Sequence, residues 1–314
     1  MVEFQSVDFD IEEIKPIDIF ICAIGYEGRS QHLLNRLKGK INASNILVFY
    51  FEDYKTHSHV KAYLDSLDET IVRSEKKYGD GECVRKEIIE FINEHFDSES
   101  HVHIDYSSMP RNWYCQLPLD SDVLKRDNVT YWYVGGKYPV SYDVYPSAGI
   151  EGYSVIGRPS LRMKNKRLHV IGLGYDTVRT KALISILDPD MYSVCDAFEA
   201  GDKEMDDNVH LANAQIISQA ISEISLQMND FSFMVAKLCE IAVEFLPLGD
   251  VIFVPDGPKP LIMAMSLVPL ILKREGISCL HVSRNNQCYE PVMVEASEFI
   301  SGFAVKESSK YMEI

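Results

Sequence analysis

Two short stretches of this chain place an arginine and a hydroxyl behind a glycine, a tyrosine and an acid, groups suited to holding a small anion. The first is Gly25-Tyr26-Glu27-Gly28-Arg29-Ser30 and the second is Gly174-Tyr175-Asp176-Thr177-Val178-Arg179-Thr180. Each follows an apolar run and precedes a helical pattern. Glycine permits a tight exit from a strand, and the N–H groups opening the next helix are available to a ligand. On this reading Arg29 and Arg179 hold a phosphate or carboxylate, with Ser30 and Thr180 as further donors. The competing reading makes both arginines helix-start residues that tie the loop to an acid such as Glu27 or Asp176.

A second pair of stretches has similar chemistry. Asp105-Tyr106-Ser107-Ser108-Met109-Pro110-Arg111 and Asp256-Gly257-Pro258-Lys259 each run from a strand-ending Asp to a Pro and a cation. Ser107, Ser108, Arg111 and Lys259 are candidate donors to a phosphate. Asp105 is a candidate acceptor from a ribose hydroxyl or a general base, and Ser107 a candidate nucleophile. Capping of the next helix explains the same Asp and Ser without any ligand.

These loops have to be positioned by something, and the chain supplies it twice. Arg179 lies 150 positions after Arg29, and Thr180, Leu183, Ile184 and Leu187 follow Ser30, Leu33, Leu34 and Leu37 at the same interval. Further strands correspond: Ile46–Phe51 with Tyr192–Phe198, His101–Arg111 with Asp250–Lys259, and Val129–Val134 with Ser278–Val282. The closing segments align through Gly152 and Gly302. Cys83–Phe96 and Val209–Met228 read as helices between strands. Alternating strands and helices imply crossover connections and a mainly parallel sheet. The expectation is an α/β protein built by tandem duplication of a Rossmann-like unit, with halves at 1–158 and 159–314 forming a pseudo-twofold pair. The join is placed in the basic stretch Arg158–Lys166, and Tyr138–Tyr145 is read as a hairpin or irregular edge. The aromatic cluster of Tyr131, Trp132, Tyr133, Tyr138, Tyr142 and Tyr145 is read as packing on the sheet, with base stacking as the alternative.

Composition narrows the ligand. A net charge of −16 opposes general binding to duplex nucleic acid, whereas a concentrated site can still hold a small anion, most plausibly a nucleotide. No apolar run reaches membrane-spanning length, and the acidic start Met1–Asp10 is unlike a signal peptide, so a cytoplasmic location away from membranes is expected. Seven scattered cysteines without a CxxC pair predict neither a disulfide framework nor a cysteine zinc site. His101, His103 and Asp105 share a strand face, but the second copy has Ile252, Val254 and Asp256, so no metal site is expected. There is no GxxxxGK[ST] loop and no HExxH. Gly172-Leu173-Gly174 opens like a dinucleotide fingerprint but lacks its third glycine, although Asp196 and Glu199 lie where a ribose-binding acid would follow. The sequence implies no particular cofactor.

The strand, short polar loop, cation and helix at Asp105–Arg111 and Asp256–Lys259, together with Gly25–Ser30 and Gly174–Thr180, resemble the CRISPR-associated Rossmann-fold (CARF) and SAVED sensor domains. That resemblance implies two such units binding a cyclic oligonucleotide, in a stand-alone sensor or accessory subunit of an antiviral defence system. The leading expectation is therefore nucleotide sensing at a cleft between the halves, where Arg29, Arg179, Arg111 and Lys259 converge on phosphates. Two other classes compete. One is a hydrolase of a nucleotide or phosphoester in which Asp105 activates water, or Ser107 or Ser108 attacks, while Arg29 and Arg111 stabilise the developing charge. The other is a non-catalytic scaffold that meets a protein partner through its acidic surface and the apolar stretch Leu261–Leu272.

Overall fold

In a computed structural model, residues 2–97, 99–126, 128–138, 146–159, 166–199, 203–283 and 292–307 are described. The first part of the chain supplies strands β1 (Val2–Asp8), β2 (Ile19–Ile24), β3 (Ile46–Phe51), β4 (Val72–Lys76), β5 (Val102–Asp105) and β6 (Val129–Lys137). Between them run helices α1 (His32–Leu37), α2 (Ser58–Ser66), α3 (Gly81–His95), α4 (Arg111–Tyr114) and α5 (Ser121–Leu124). The next part supplies β7 (Gly152–Arg158), β8 (Arg167–Gly172), β9 (Met191–Phe198), β10 (Glu223–Gln227), β11 (Asp250–Val254) and β12 (Ile277–Ser283). Its helices are α6 (Thr177–Leu187), α7 (Lys203–Ile217), α8 (Phe231–Phe245) and α9 (Lys259–Leu272), and β13 (Glu295–Glu307) closes the described chain.

The strands form two sheets with orders β1-β13-β6-β5-β2-β3-β4 and β10-β9-β8-β11-β12-β7. In each, five strands are parallel and an antiparallel strand joins the end formed by β6 or β12. Numbered within its repeat, each sheet runs third, second, first, fourth, fifth. The fold is thus a duplicated Rossmann-like unit. In each copy the strand order reverses between the first and fourth strands, β2 and β5 or β8 and β11.

The closing strands are exchanged relative to the sequence repeat. β7, before the expected join, pairs with β12, whereas β13, at the end of the chain, pairs with β6 and β1. By contact the chain accordingly divides into residues 1–139 with 291–314, and residues 140–290, rather than into contiguous halves at 158. Most of the Arg158–Lys166 stretch and Pro139–Tyr145 lie outside the described residues.

Burial explains the elements. All six residues of β2 are buried, as a parallel strand covered on both faces requires. In α8, Phe231, Met234, Val235, Leu238 and Ala242 make one apolar face, and Asp230 caps the helix by accepting from the Phe233 N–H. The helix after the first strand packs on its sheet through Leu33, Leu34 and Leu37 in one copy and Leu183 in the other. The run Val209–Met228 is not one helix: α7 ends at Ile217 and residues 223–227 form β10. Its last apolar residues, Ile224, Leu226 and Met228, recur every second position, which suits a strand. The stretch Leu261–Leu272 lies within α9, buried from Pro260 to Pro269 and packed on α8, β12 and β7. Among the described residues no disulfide forms, and no helix is long and apolar enough to cross a membrane.

Candidate functional site

The loop after β2 turns its arginine inward. Arg29 is 3% exposed, and its Nε donates to Glu27 Oε2 at 2.6 Å. Its Nη1 donates to the Tyr133 hydroxyl at 3.1 Å and to the Val134 carbonyl at 3.3 Å, with the guanidinium 5.6 Å from the Tyr133 ring centre. Burial works against its charge, and Glu27 more than restores it, so the guanidinium pKa ends above its ordinary value. The Arg29 backbone N–H donates to Val294 O, and Ser30 Oγ donates to Gly25 O. Residues 28–31 are a 3-10 turn. A Cβ on Gly28 would stand 2.5 Å from the Glu295 carboxylate, so the approach to β13 covers this loop. Half-buried Tyr26 lies beside His57, its ring centre 5.7 Å away, and its carbonyl meets His59 Nε2 at 3.0 Å.

The loop after β8 repeats the arginine with a different acid. Arg179, 2% exposed, places Nη1 3.5 Å from Asp256 Oδ1 and donates from Nη2 to the Val282 carbonyl. Both arginines therefore reach back to a carbonyl on the fifth strand of their own sheet. Asp176 caps α6, with Oδ1 accepting the Arg179 N–H and Oδ2 the Ala148 N–H. Thr180 Oγ1 donates to Asp176 O, and half-buried Tyr175 packs on the core of this unit. Glycines let this loop touch the loop after β11. A Cβ on Gly172 would lie 2.4 Å from Asp256 O, one on Gly174 2.9 Å from Gly257 Cα, and one on Gly257 2.1 Å from Leu173 O.

At the end of β5, Asp105 and Ser107 bind one another. The Ser107 N–H donates to Asp105 Oδ1 at 2.9 Å, its hydroxyl donates to the same oxygen, and Ser107 Oγ accepts the Val134 N–H at 2.8 Å. Ser107 has no exposure and Asp105 only 2%, so neither is presented to solvent. Ser108 is half-buried, and its hydroxyl has no partner among the described residues. Asp256 accepts from the Gly257 N–H and forms its ion pair with Arg179. Arg111 and Lys259 are the first residues of α4 and α9, both half-buried and each behind a proline that makes no side-chain cap. They are the predicted site cations that stay partly accessible.

Other sequence candidates take structural places. His103 Nδ1 accepts from Trp132 Nε1 at 2.9 Å, and burial, with His101 adding to it, pushes its pKa down to about 3. Tyr131, Trp132 and Tyr133 are buried, with Tyr131 stacked on Phe303 at 5.0 Å, so these rings pack the sheet. Tyr142 and Tyr145 lie outside the described residues. The sequence reading missed Tyr133, Val134 and Val282 as arginine partners, and His57 and His59 beside Tyr26. Only the topology brings these residues to the loops.

No protein-family model matches the chain, and neither does any curated protein. Among solved structures it is similar to the adenylation, ketoreductase and pseudo-Asub multidomain structure of a keto acid-selecting NRPS module. The two are 9% identical with a TM-score of 0.22, over 81% of this chain and 27% of that one. The chain thus spans about a quarter of that structure's length, and a likeness this weak carries no argument.

Proposed function

We propose that the protein binds a nucleotide at the C-terminal edge of its parallel strands and acts as a sensor rather than by cleaving its ligand. The observation that carries this reading is the strand order, which in both copies brings the loops after the first and fourth strands to a switch point. Arg111 and Lys259 stand at equivalent helix starts beside those points and supply cations to a phosphate. The commitment of the buried Ser107 hydroxyl to Asp105 and Val134 favours binding over attack by that group. A defence role is the setting implied by the sensor resemblance, with the nucleotide as signal.

The test is a thermal-shift screen against mononucleotides and linear and cyclic oligonucleotides, with product analysis of every hit. A ligand at ~100 times its dissociation constant adds about 2.7 kcal/mol, a visible shift. The expected result is a shift that Arg111→Ala or Lys259→Ala abolishes, with the nucleotide recovered intact. Cleaved product would move the assignment to a hydrolase, and no shift with any nucleotide would move it to a scaffold.

A further inference from the structure

The second unit contains a donor cluster apart from the loops described above. Parallel pairing sets Asp196 of β9 opposite Ser225 of β10 and Glu223 opposite Val194. Strand alternation then puts Asp196, Val194, Glu223 and Ser225 on one face. Val194 belongs to the core that includes Val209 and Ile216 of α7, so this face lies under α7. His210 follows Val209 on that helix, and its Nε2 donates to Glu223 Oε1 at 2.7 Å. One donor atom each from Asp196, His210 and Glu223 lies within 4.8 Å of the others.

We propose that Asp196, His210 and Glu223 form a binding site for a divalent transition metal, zinc or manganese, between α7 and the face of the second sheet where β9 pairs with the start of β10. Donors around one ion with bonds of ~2.1 Å stand roughly 3 Å apart. His210 and Glu223 already have that spacing, and Asp196 closes the set by moving at most about 2 Å, within reach of a side-chain rotation. Two carboxylates this close repel, and Asp196 is only 2% exposed. A divalent ion balances both charges. Ser225 Oγ donates to Asp196 Oδ1 at 2.9 Å, the outer hydrogen bond that orients a ligating carboxylate. One imidazole with two carboxylates suits zinc or manganese rather than a softer ion.

Placement adds to the argument. Gly172, the last residue of β8, pairs with Cys195, so Asp196 lies just beyond the end of β8, on the side from which the loops emerge. One turn after His210, the fully buried Asn213 donates to Gly174 O and Val209 O, tying α7 to the loop after β8. Its Oδ1 has no hydrogen-bond partner among the described residues. Three protein donors leave coordination positions open to water or to an anionic oxygen. That second step rests on the nucleotide reading; the metal site does not.

The full chain is stripped with chelator and titrated, nucleotide-free, with zinc chloride and with manganese chloride by calorimetry, with a metal count by mass spectrometry. The expected result is one ion per chain, with affinity falling at least ~10-fold in Asp196→Asn and in His210→Ala. His95→Ala, a histidine on α3 of the other unit, leaves binding unchanged. Cobalt(II) gives a visible spectrum that His210→Ala alters, a readout that a folding defect alone does not mimic. No saturable binding of either ion, or binding equal to wild type in both variants, would overturn the proposal. Because no nucleotide is present, the outcome is independent of whether one binds.

Discussion

Arg179 Nη1 lies 3.5 Å from Asp256 Oδ1, and the pair joins the loop after β8 to the loop after β11 across the point where strand order reverses. The equivalent arginine, Arg29, finds its acid two residues away in Glu27 instead. The repeat has therefore kept the cation and its reach to the fifth strand while changing the anion. Each pair is buried enough that the attraction has to offset a substantial desolvation cost.

Removing either arginine is predicted to destabilise the fold before it affects any ligand. Arg179→Ala leaves Asp256 in a buried site without its cation, a situation that typically costs about 3–5 kcal/mol. Arg29→Ala acts similarly on Glu27, with a smaller effect because that carboxylate is 18% exposed. Urea unfolding of the two variants measures this directly. A loss below ~1 kcal/mol in both would mean that the guanidiniums are not holding the loops, and would reopen them as ligand groups.

A methyl group at Gly257 is predicted to push the two switch-point loops apart. The residue has φ +87, and an added Cβ meets the Leu173 carbonyl oxygen at 2.1 Å. The backbone conformation alone costs about 1–3 kcal/mol for a side-chain-bearing residue, and the clash adds to it. Gly39→Ala is the contrasting case, with nothing within 4 Å of the new carbon. Its stability should change by less than ~1 kcal/mol. Equal melting temperatures for the two variants would refute the close loop contact.

The sequence made the duplication legible because a glycine, an arginine and a helical apolar pattern recur together at one interval, from Arg29 to Arg179. Interval does not say which sheet a strand joins. β7 and β13 align with each other, yet each completes the sheet on the other side of the expected join, since edge pairing is decided by tertiary contact. The site was legible as a set of loops, but the direction of its side chains was not. Arg29 turns inward because Tyr133 and Val134, more than a hundred residues later, offer acceptors there. Glu223 was hidden for a related reason: residues 218–222 leave the helix, and the next strand was read as its continuation.

Ser107→Ala is predicted to lower stability through two lost hydrogen bonds. The hydroxyl accepts the buried Val134 N–H and donates to Asp105, which keeps the Ser107 N–H, so its removal leaves the Val134 N–H without that acceptor. An unsatisfied buried polar group costs about 1–3 kcal/mol. Ligand affinity measured well below the melting temperature should be unchanged. A variant that kept wild-type stability while losing a hydrolytic activity would instead make Ser107 a nucleophile.

Acid is predicted to destabilise the fold through two buried histidines. Burial, with His101 adding to it, holds His103 at about 3, and burial, with Arg167 adding to it, holds His169 at about 4, against 6.5 for the free side chain. Both pKa values are depressed, so between these limits the unfolded chain binds more protons than the folded one, and stability rises with pH. The contribution is complete above 6.5 and is lost as pH falls toward the folded values. Each histidine adds a slope approaching ~1.4 kcal/mol per pH unit below 6.5. His103→Asn keeps an acceptor for the Trp132 N–H but has no proton to take up. Urea unfolding between pH 6.5 and about 4.5, above most carboxylate titration, should show the variant's slope reduced by nearly one proton. An unchanged slope would mean that His103 is protonated in the folded state and that the Trp132 indole does not donate to it.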